Sequence, residues 1–394
     1  MGFKDKIAII GVGCTKFGEN FDLSYADMVV EATYEALEEA NLETKDIDGG
    51  WIGTAFPDAG VYKGRSGMDL AEPLALFDIP ITRVSNYCAT GGDAFRNACY
   101  SLLSGEHDIV FALGVEKLRD RTPQKSIVNM MVDSTHPIYQ KGFTAAGTFA
   151  VYATRHFHEF GTTREHLAQI AVKNHCHAVY NPKAHYKKEL TIEQVMNSPM
   201  VAYPITLMES CPTTDGSACV ILVRANEAKK YNDNYVLVKG HGFSVSTGWD
   251  LPFYDPNYDF TSFRATKVAA KKAYKDAGID KPIKQIDFAE VHDCFSIVEL
   301  LTYEDLGFCK KGEGKKLIDN KTTWLGNELP VNVSGGLLSS GHPVGATGLR
   351  MLYELTRQIQ GKCGKRQVKD ARIGLAHNIG GPGAVASVTI LGGQ

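Results

Sequence analysis

Two stretches decide how this chain reads: CATGGDAFRNACYSLLSG at 88–105 and GATGLRMLYELTRQIQG at 345–361. Each enters a predicted helix through Ala-Thr-Gly and leaves it at a glycine, a natural helix stop. In the first, Ala94, Ala98, Leu102 and Leu103 share one face. Each helix then leads to a short apolar run that reads as a buried strand, IVFALGVE (109–116) and IGLAHN (373–378). Upstream, EALEEANLETKDID (35–48) and KKAYKDAGIDKPIKQID (271–287) repeat one order: helix end, linker, then Ile-Asp entering a strand. The similarity is collinear and predicts two copies of one α/β unit. Alternating strands and helices imply mostly parallel sheets covered by helices.

Other segments fit this frame. IAII (7–10) is a strand candidate. GVGCTKFG (11–18) follows it with spacing GxGxxxxG, which reads as a strand-exit turn and not as a nucleotide loop. Ser24 and Asp27 make a capping-box start for a helix carrying Val29, Ala32, Ala36, Leu37 and Ala40. A further helix is predicted over Phe263–Asp276. Residues 119–209 are richer in His, Lys and Asn and hold two helix candidates, Thr144–Phe160 and Thr163–Val179. They read as an insertion over one end of the sheets, where ligand loops of α/β proteins sit. The expected organisation is an N-terminal half at 1–118 plus 210–230, a loop domain at 119–209 and a C-terminal half at 231–394.

The 394 residues suffice for a large core, and a net charge of −3 gives no general pull toward nucleic acid. Nine cysteines without a CxxC pair argue against zinc-ribbon and dithiol chemistry and for free thiols in a reducing compartment. No metal site is expected. The start, MGFKDKIAII, puts charges inside what would be a signal peptide's apolar stretch. No apolar run is long enough to span a bilayer, and TILGGQ is not a peroxisomal address. The expected location is cytoplasmic.

Cys88 in NYCATGG lies just before a predicted helix, where free N–H groups and the helix dipole favour a thiolate. Against this stands the commoner fate of a lone cysteine, burial without reactivity. GHPVGATG (341–348) puts His342 three residues before the matching helix start, so a pseudo-twofold would bring both into one cleft, with His342 as proton acceptor or thioester polariser. HDCF (292–295) follows the apolar run FAEV; His292 and Cys294, two apart, share a face in an extended chain. HNIGGPG (377–383) offers His377 and the backbone N–H groups of Ile379 and Gly380 as an oxyanion hole, with a purely structural turn the even alternative. The basic stretch Lys183, His185, Lys187, Lys188 reads first as a solvated face.

NYCATGG, HDCF, GHPVGATG and HNIGG stand in the order and at the approximate intervals of the thiolase superfamily, and the resemblance runs essentially the whole length, including TREHLAQIAVKN (163–174) and ESCPTTDGSACVIL (209–222). The chain resembles most the sterol-carrier-type and archaeal acetyl-CoA acetyltransferase branch. The resemblance implies a layered αβαβα fold of two similar halves with a loop domain. It implies Cys88 as the acyl-accepting nucleophile, His342 as its activator and, since HDCF stands where common thiolases have Asn-Glu-Ala-Phe, Cys294 as the acid/base; the role of His377 stays open. It further implies ping-pong cleavage or formation of a 3-oxoacyl-CoA, acetoacetyl-CoA or a bulkier or aromatic one, in a catabolic pathway. Coenzyme A is then a substrate, with no covalently bound cofactor, and Lys183 and Lys187 are the candidates for its phosphates. The loop domain, with Met130, Met131, Tyr139 and Phe143, shapes the acyl pocket. A homodimer is implied, and a small separately encoded OB-fold/zinc-ribbon protein as partner. The rivals are a decarboxylating ketoacyl-synthase-like enzyme and a non-catalytic subunit that binds CoA esters or lipids.

Overall fold

The computed structural model describes residues 2–57, 65–120, 144–247 and 254–394. Met130, Met131, Tyr139 and Phe143 lie outside them. The first half contains β1 (Ile7–Cys14), α1 (Tyr25–Ala40), β2 (Gly49–Gly53), α2 (Met68–Leu74), β3 (Ile81–Val84), α3 (Thr90–Ser104) and β4 (Ile109–Glu116). Next come α4 (Ala145–Phe160), α5 (Arg164–Ala178), α6 (Ile192–Met196), a small hairpin of β5 (Met200–Ala202) and β6 (Ile205–Thr206), and β7 (Gly216–Arg224). The rest holds β8 (Val236–Val245), α7 (Arg264–Ala277), α8 (Pro282–Gln285), β9 (Phe288–Val291), α9 (Ser296–Asp305), α10 (Gly314–Asp319), α11 (Gly336–Ser340), α12 (Thr347–Ile359), β10 (Ile373–Gly380) and β11 (Val385–Gly392).

The helix signals in the sequence work as local chemistry. Ser24 and Asp27 form the reciprocal capping box of α1, Thr144 caps α4, and Gly105 closes α3 in the left-handed conformation at φ 79°. Glycine at Gly11 and Gly13 has another cause than a turn. β1 runs straight through them to Cys14, and a Cβ there would lie 2.1 Å from the Ala36 carbonyl oxygen and 1.9 Å from that of Ala32. The second half repeats this: Cβ atoms on Gly240 and Gly242 of β8 would lie 2.3 Å and 1.9 Å from the carbonyl oxygens of Ala273 and Ala269 on α7. Each outer helix therefore rests with its backbone directly on a glycine-bearing strand.

The strands form one sheet in the order β3-β2-β4-β7-β1-β8-β11-β10-β9. Only two residue pairs, Ala8↔Leu237 and Ile9↔Val236, join β1 to β8, so each side of that seam is one half's own sheet. An isolated parallel bridge from Ala289 to Val331 stands beside β9 where β3 stands beside β2. The expectation of mostly parallel sheets is corrected. β2–β3, β2–β4 and β9–β10 are parallel, but β7 returns antiparallel to both β4 and β1, and β11 folds back on β10 through the Gly381–Ala384 turn. β11 is antiparallel to β10 because a four-residue turn joins them, whereas β7 reaches its place beside β4 only after the inserted helices α4–α6.

α1 covers one outer face and α7 the other, while α3 and α12 pack on each other between strands of both halves. The layers thus run α, β, α, β, α. The inner pair crosses at its N-termini: a Cβ on Gly348 would stand 2.6 Å from the Gly92 amide nitrogen, and one on Gly91 3.0 Å from the Gly345 carbonyl oxygen. The inserted helix α5 is tied to the second half by a buried polar network. Lys173 pairs with Glu299 and donates to the Val331 carbonyl at 2.9 Å; the Asn174 amide reaches Asp293 and Glu299, each at 2.7 Å. No helix among the described residues is long and apolar enough to cross a membrane.

Candidate active site

Cys88 enters α3 from β3 through a tight turn. Tyr87 sits at φ 49°, which costs a non-glycine residue about 1–3 kcal/mol and is held by its surroundings. Here Thr90 Oγ1 donates to the Tyr87 carbonyl and accepts from the Asn86 amide at 2.8 Å. The turn leaves Cys88 9% exposed on a pocket of about 170 Å³ whose apolar walls include Phe56, Leu118, Phe149, Phe295 and Val344. His292, Cys294, His342 and Cys211 line the same pocket. The Cys88 sulfur and one ring nitrogen of each histidine lie within 4.8 Å of one another.

His342 follows α11 after Gly341, at φ 97°. Its Nδ1 is 2.6 Å from Thr347 Oγ1, and that hydroxyl already donates to the Pro343 carbonyl at 3.0 Å. The hydroxyl must therefore accept from Nδ1–H, which leaves Nε2 as a bare lone pair. Nε2 is buried and has no protein partner. His292 Nδ1 accepts from the Asn378 side-chain amide at 3.1 Å, which leaves the proton on Nε2. One imidazole is thus arranged as an acceptor and the other as a donor. The HDCF turn is held by Asp293, whose carboxylate accepts from the Leu337 amide at 2.6 Å and from Asn174. Burial and neighbouring Glu299 push its pKa up to about 8.

Burial also governs the titrating groups. Cys88 is pushed up to about 12, mainly by desolvation and then by Glu116, against the favourable N–H contacts of Gly381 and Cys88 itself. The thiolate-favouring environment expected at the helix start is therefore outweighed by burial. Burial and then Arg350 lower His342 to about 3. Both shifts favour the neutral forms, a thiol beside an unprotonated imidazole. Desolvation, then Cys211 and Cys88, raises Cys294 well above the ordinary thiol range.

Other expectations are corrected. His377 turns away from the pocket: on β10 successive side chains alternate, and its Nε2 meets Thr266 Oγ1 of α7 at 2.9 Å, while Asn378 faces His292. The amide aimed at the Cys88 sulfur is that of Gly381, not of Ile379 or Gly380. Ile379 belongs to the core, and Gly380 is small because a Cβ there would sit 3.1 Å from the Cys88 nitrogen. Lys183 is not free for a phosphate, since its ammonium pairs with Glu35 and donates to the Cys14 carbonyl; Lys187 is simply exposed. Two residues escaped the sequence reading. Cys211 lies in the quoted SCPTTDG segment but carries no spacing signal. Glu116, the last residue of β4, accepts from Thr54, Ala55, Phe56 and, across the halves, from the Gly345 amide at 2.8 Å.

Family models match both halves of the chain. "Thiolase, N-terminal domain" matches residues 7–226 and "Thiolase C-terminal domain-like" residues 254–393. The chain belongs to the thiolase family. It is an enzyme of the acyltransferase class. Acetyl-CoA acetyltransferase of Methanothermobacter thermautotrophicus is 42% identical over 384 residues, covering 98% of each chain. Human sterol carrier protein 2 is 36% identical over 96% of this thiolase and 71% of its own length. Among solved structures, "Ltp2-ChsH2(DUF35) aldolase" matches with TM-score 0.84 at 24% identity, covering 100% of this chain and 99% of that one. Human mitochondrial 3-ketoacyl-CoA thiolase in complex with CoA matches with TM-score 0.74 at 17% identity, covering 100% and 99%; at these identities the two show the thiolase fold.

Proposed function

We propose that this thiolase cleaves or forms a 3-oxoacyl-CoA by ping-pong covalent catalysis through an acyl group on Cys88. The observation that carries the proposal is the convergence of Cys88, His292, Cys294 and His342 on one pocket, with Cys88 and the two imidazoles within 4.8 Å. In cleavage, Cys88 attacks the 3-oxo carbon while His342 Nε2 takes its proton. The oxyanion that forms is held by the N–H groups of Cys88 and Gly381. The carbon–carbon bond breaks and leaves an enolate thioester, whose oxygen accepts from His292 Nε2–H and from the proton now on His342. Cys294 protonates the enolate carbon. A second CoA thiol then attacks the acyl carbonyl, its proton passing to the Cys294 thiolate, and Cys88 leaves as a thiol by taking back the proton held on His342. Condensation is the reverse.

Cys294 on the pocket wall favours thiolase chemistry over decarboxylative condensation, which generates its carbanion by losing carbon dioxide and needs no thiol base. The substrate is acetoacetyl-CoA or a bulkier, aromatic 3-oxoacyl-CoA in a catabolic pathway, and the enzyme works as a cytoplasmic homodimer. A small OB-fold/zinc-ribbon protein is its partner; the structural neighbour named Ltp2-ChsH2(DUF35) aldolase supports that reading. The test is intact-mass analysis after incubation with an acyl-CoA, alongside a thiolysis screen of short, long and aryl 3-oxoacyl-CoAs. The expected result is a single acyl adduct on Cys88 and thiolysis of at least one class. No Cys88-dependent adduct would leave a CoA-ester-binding role instead.

A further inference from the structure

We propose that Cys88, His292 and His342 also form a site for a soft divalent cation, zinc above all, which binds in place of substrate and holds the enzyme inactive. Three donor atoms of the types zinc takes, one thiol sulfur and two ring nitrogens, already lie within 4.8 Å of one another. In a tetrahedral zinc site such atoms stand roughly 3.3–3.6 Å apart, given bond lengths of about 2.0–2.3 Å.

A second observation points the same way. Zinc-bound histidines characteristically have their other ring nitrogen fixed by a neighbour, which sets the tautomer and aims the lone pair. Both imidazoles here have that support: Nδ1 of His342 on Thr347 Oγ1 at 2.6 Å, and Nδ1 of His292 on Asn378 at 3.1 Å. His342 Nε2 is a buried lone pair without a protein partner. Asn378 can serve either tautomer of His292. Its Nδ2 meets the bare Nδ1 now, and its Oδ1, which lacks a partner, would accept from Nδ1–H once the amide turns over. The proton then leaves Nε2, and that nitrogen becomes a ligand. Three protein ligands leave the fourth position of a tetrahedral ion open, to water or to an incoming thiol. Binding forms two Zn–N bonds and one Zn–S bond and releases the Cys88 thiol proton to solvent, so affinity rises with pH.

The arrangement differs from a structural zinc site in being open to substrate. Acyl transfer to Cys88 would remove one ligand, and a bound ion would block the attacking sulfur. Zinc and substrate therefore exclude each other.

The test titrates the purified full chain, free of CoA, with Co²⁺ as a spectroscopic probe and with Zn²⁺ in competition. One equivalent of Co²⁺ should give a thiolate-to-cobalt absorption with the intense visible bands of tetrahedral cobalt, bleached by one equivalent of Zn²⁺. Cys88→Ser and His342→Ala should each weaken binding at least 100-fold, while Cys176→Ser, remote in sequence on α5, should leave it unchanged. In the wild type, Zn²⁺ should abolish thiolysis and a chelator restore it. Absence of the thiolate band, or an unchanged band in Cys88→Ser, overturns the site. Because the cobalt spectrum needs no turnover, the site and the thiolase mechanism proposed above can fail separately. A cobalt band without any acyl adduct condemns the mechanism alone, and an adduct without the band condemns the site alone.

Discussion

The two halves of this thiolase share one scaffold and carry different chemistry at its strand ends. α1 rests on Gly11 and Gly13 as α7 rests on Gly240 and Gly242, and α3 and α12 meet through glycines at their starts. The ends of matching strands differ. In the first half β2 runs out into Thr54 and Ala55, and β4 ends in Glu116, whose oxygens bind Thr54, the Ala55 and Phe56 amides and Gly345. That carboxylate staples the halves together and acts on Cys88 through its charge. In the second half β9 runs out into His292 and Cys294, the turn before α12 carries His342, and the strand matching β4 ends in Gly380, pressed against the Cys88 backbone. In the proposed mechanism one copy mounts the nucleophile and the other supplies the proton acceptors and donors.

This division can be broken most severely at the mount. Cys88→Ala should lower thiolysis by roughly 10⁴-fold or more, because it removes the covalent route itself; a smaller loss, in a variant that folds, would mean the acyl group is carried elsewhere. The proton side should break differently. Cys294→Ala should cost about 10²–10⁴-fold in thiolysis, the usual range for a positioned acid/base, while leaving acyl transfer from an acyl-CoA onto Cys88 intact. If both half-reactions fall together, Cys294 is not the enolate's acid. The titration of the mount sharpens the contrast further. With Cys88 raised to about 12, its thiolate fraction should grow about tenfold per pH unit across the range from pH 7 to 10, and alkylation by iodoacetamide should follow. A rate that is already level below pH 7 would reveal a preformed thiolate–imidazolium pair.

Much of this was legible in the chain, for identifiable reasons. Local signals were strong where a residue's chemistry acts on its own neighbours: Ser24 with Asp27, Thr144 ahead of α4, Gly105 after α3. The internal repeat revealed the two halves because their helix starts kept Ala-Thr-Gly. The readings failed where the cause was a distant backbone. Gly11 and Gly13 looked like a turn because nothing nearby in sequence announces that α1 will lie on them. β7 and β11 upset the parallel expectation because strand direction depends on how the chain returns. Cys211 and Glu116 meet their partners only across the fold. The thiol's raised pKa also escaped, since a helix start predicts the favourable dipole but not the burial that outweighs it.

The glycines separate what holds the halves from what holds the site. Gly13→Ala and Gly348→Ala both force a Cβ into backbone, at 1.9 Å from the Ala32 oxygen and 2.6 Å from the Gly92 nitrogen, and each should cost about 1–3 kcal/mol of stability by denaturant titration. Only Gly348→Ala spreads the inner helix starts that carry Cys88 and follow His342. Its kcat per acylatable Cys88 should therefore fall, while that of Gly13→Ala should hold. Equal kcat losses would mean the outer layer positions the site as much as the inner one does.

The smallest test lies within two adjacent residues of β10. Strand alternation sends His377 to Thr266 on the outer helix and Asn378 to His292 in the pocket. Asn378→Ala should loosen the donor imidazole and lower kcat by about 10–100-fold, the cost of misplacing a reacting group by around an ångström. His377→Asn should lose a buried hydrogen bond, about 1 kcal/mol of stability, with kcat almost unchanged. The reverse outcome would put His377 in the proton path after all, and the strand would then have to present its other face to the pocket during turnover. That is hard to reconcile with β10 being paired along its whole length to β11, since a one-residue slip would turn every side chain on the strand over at once.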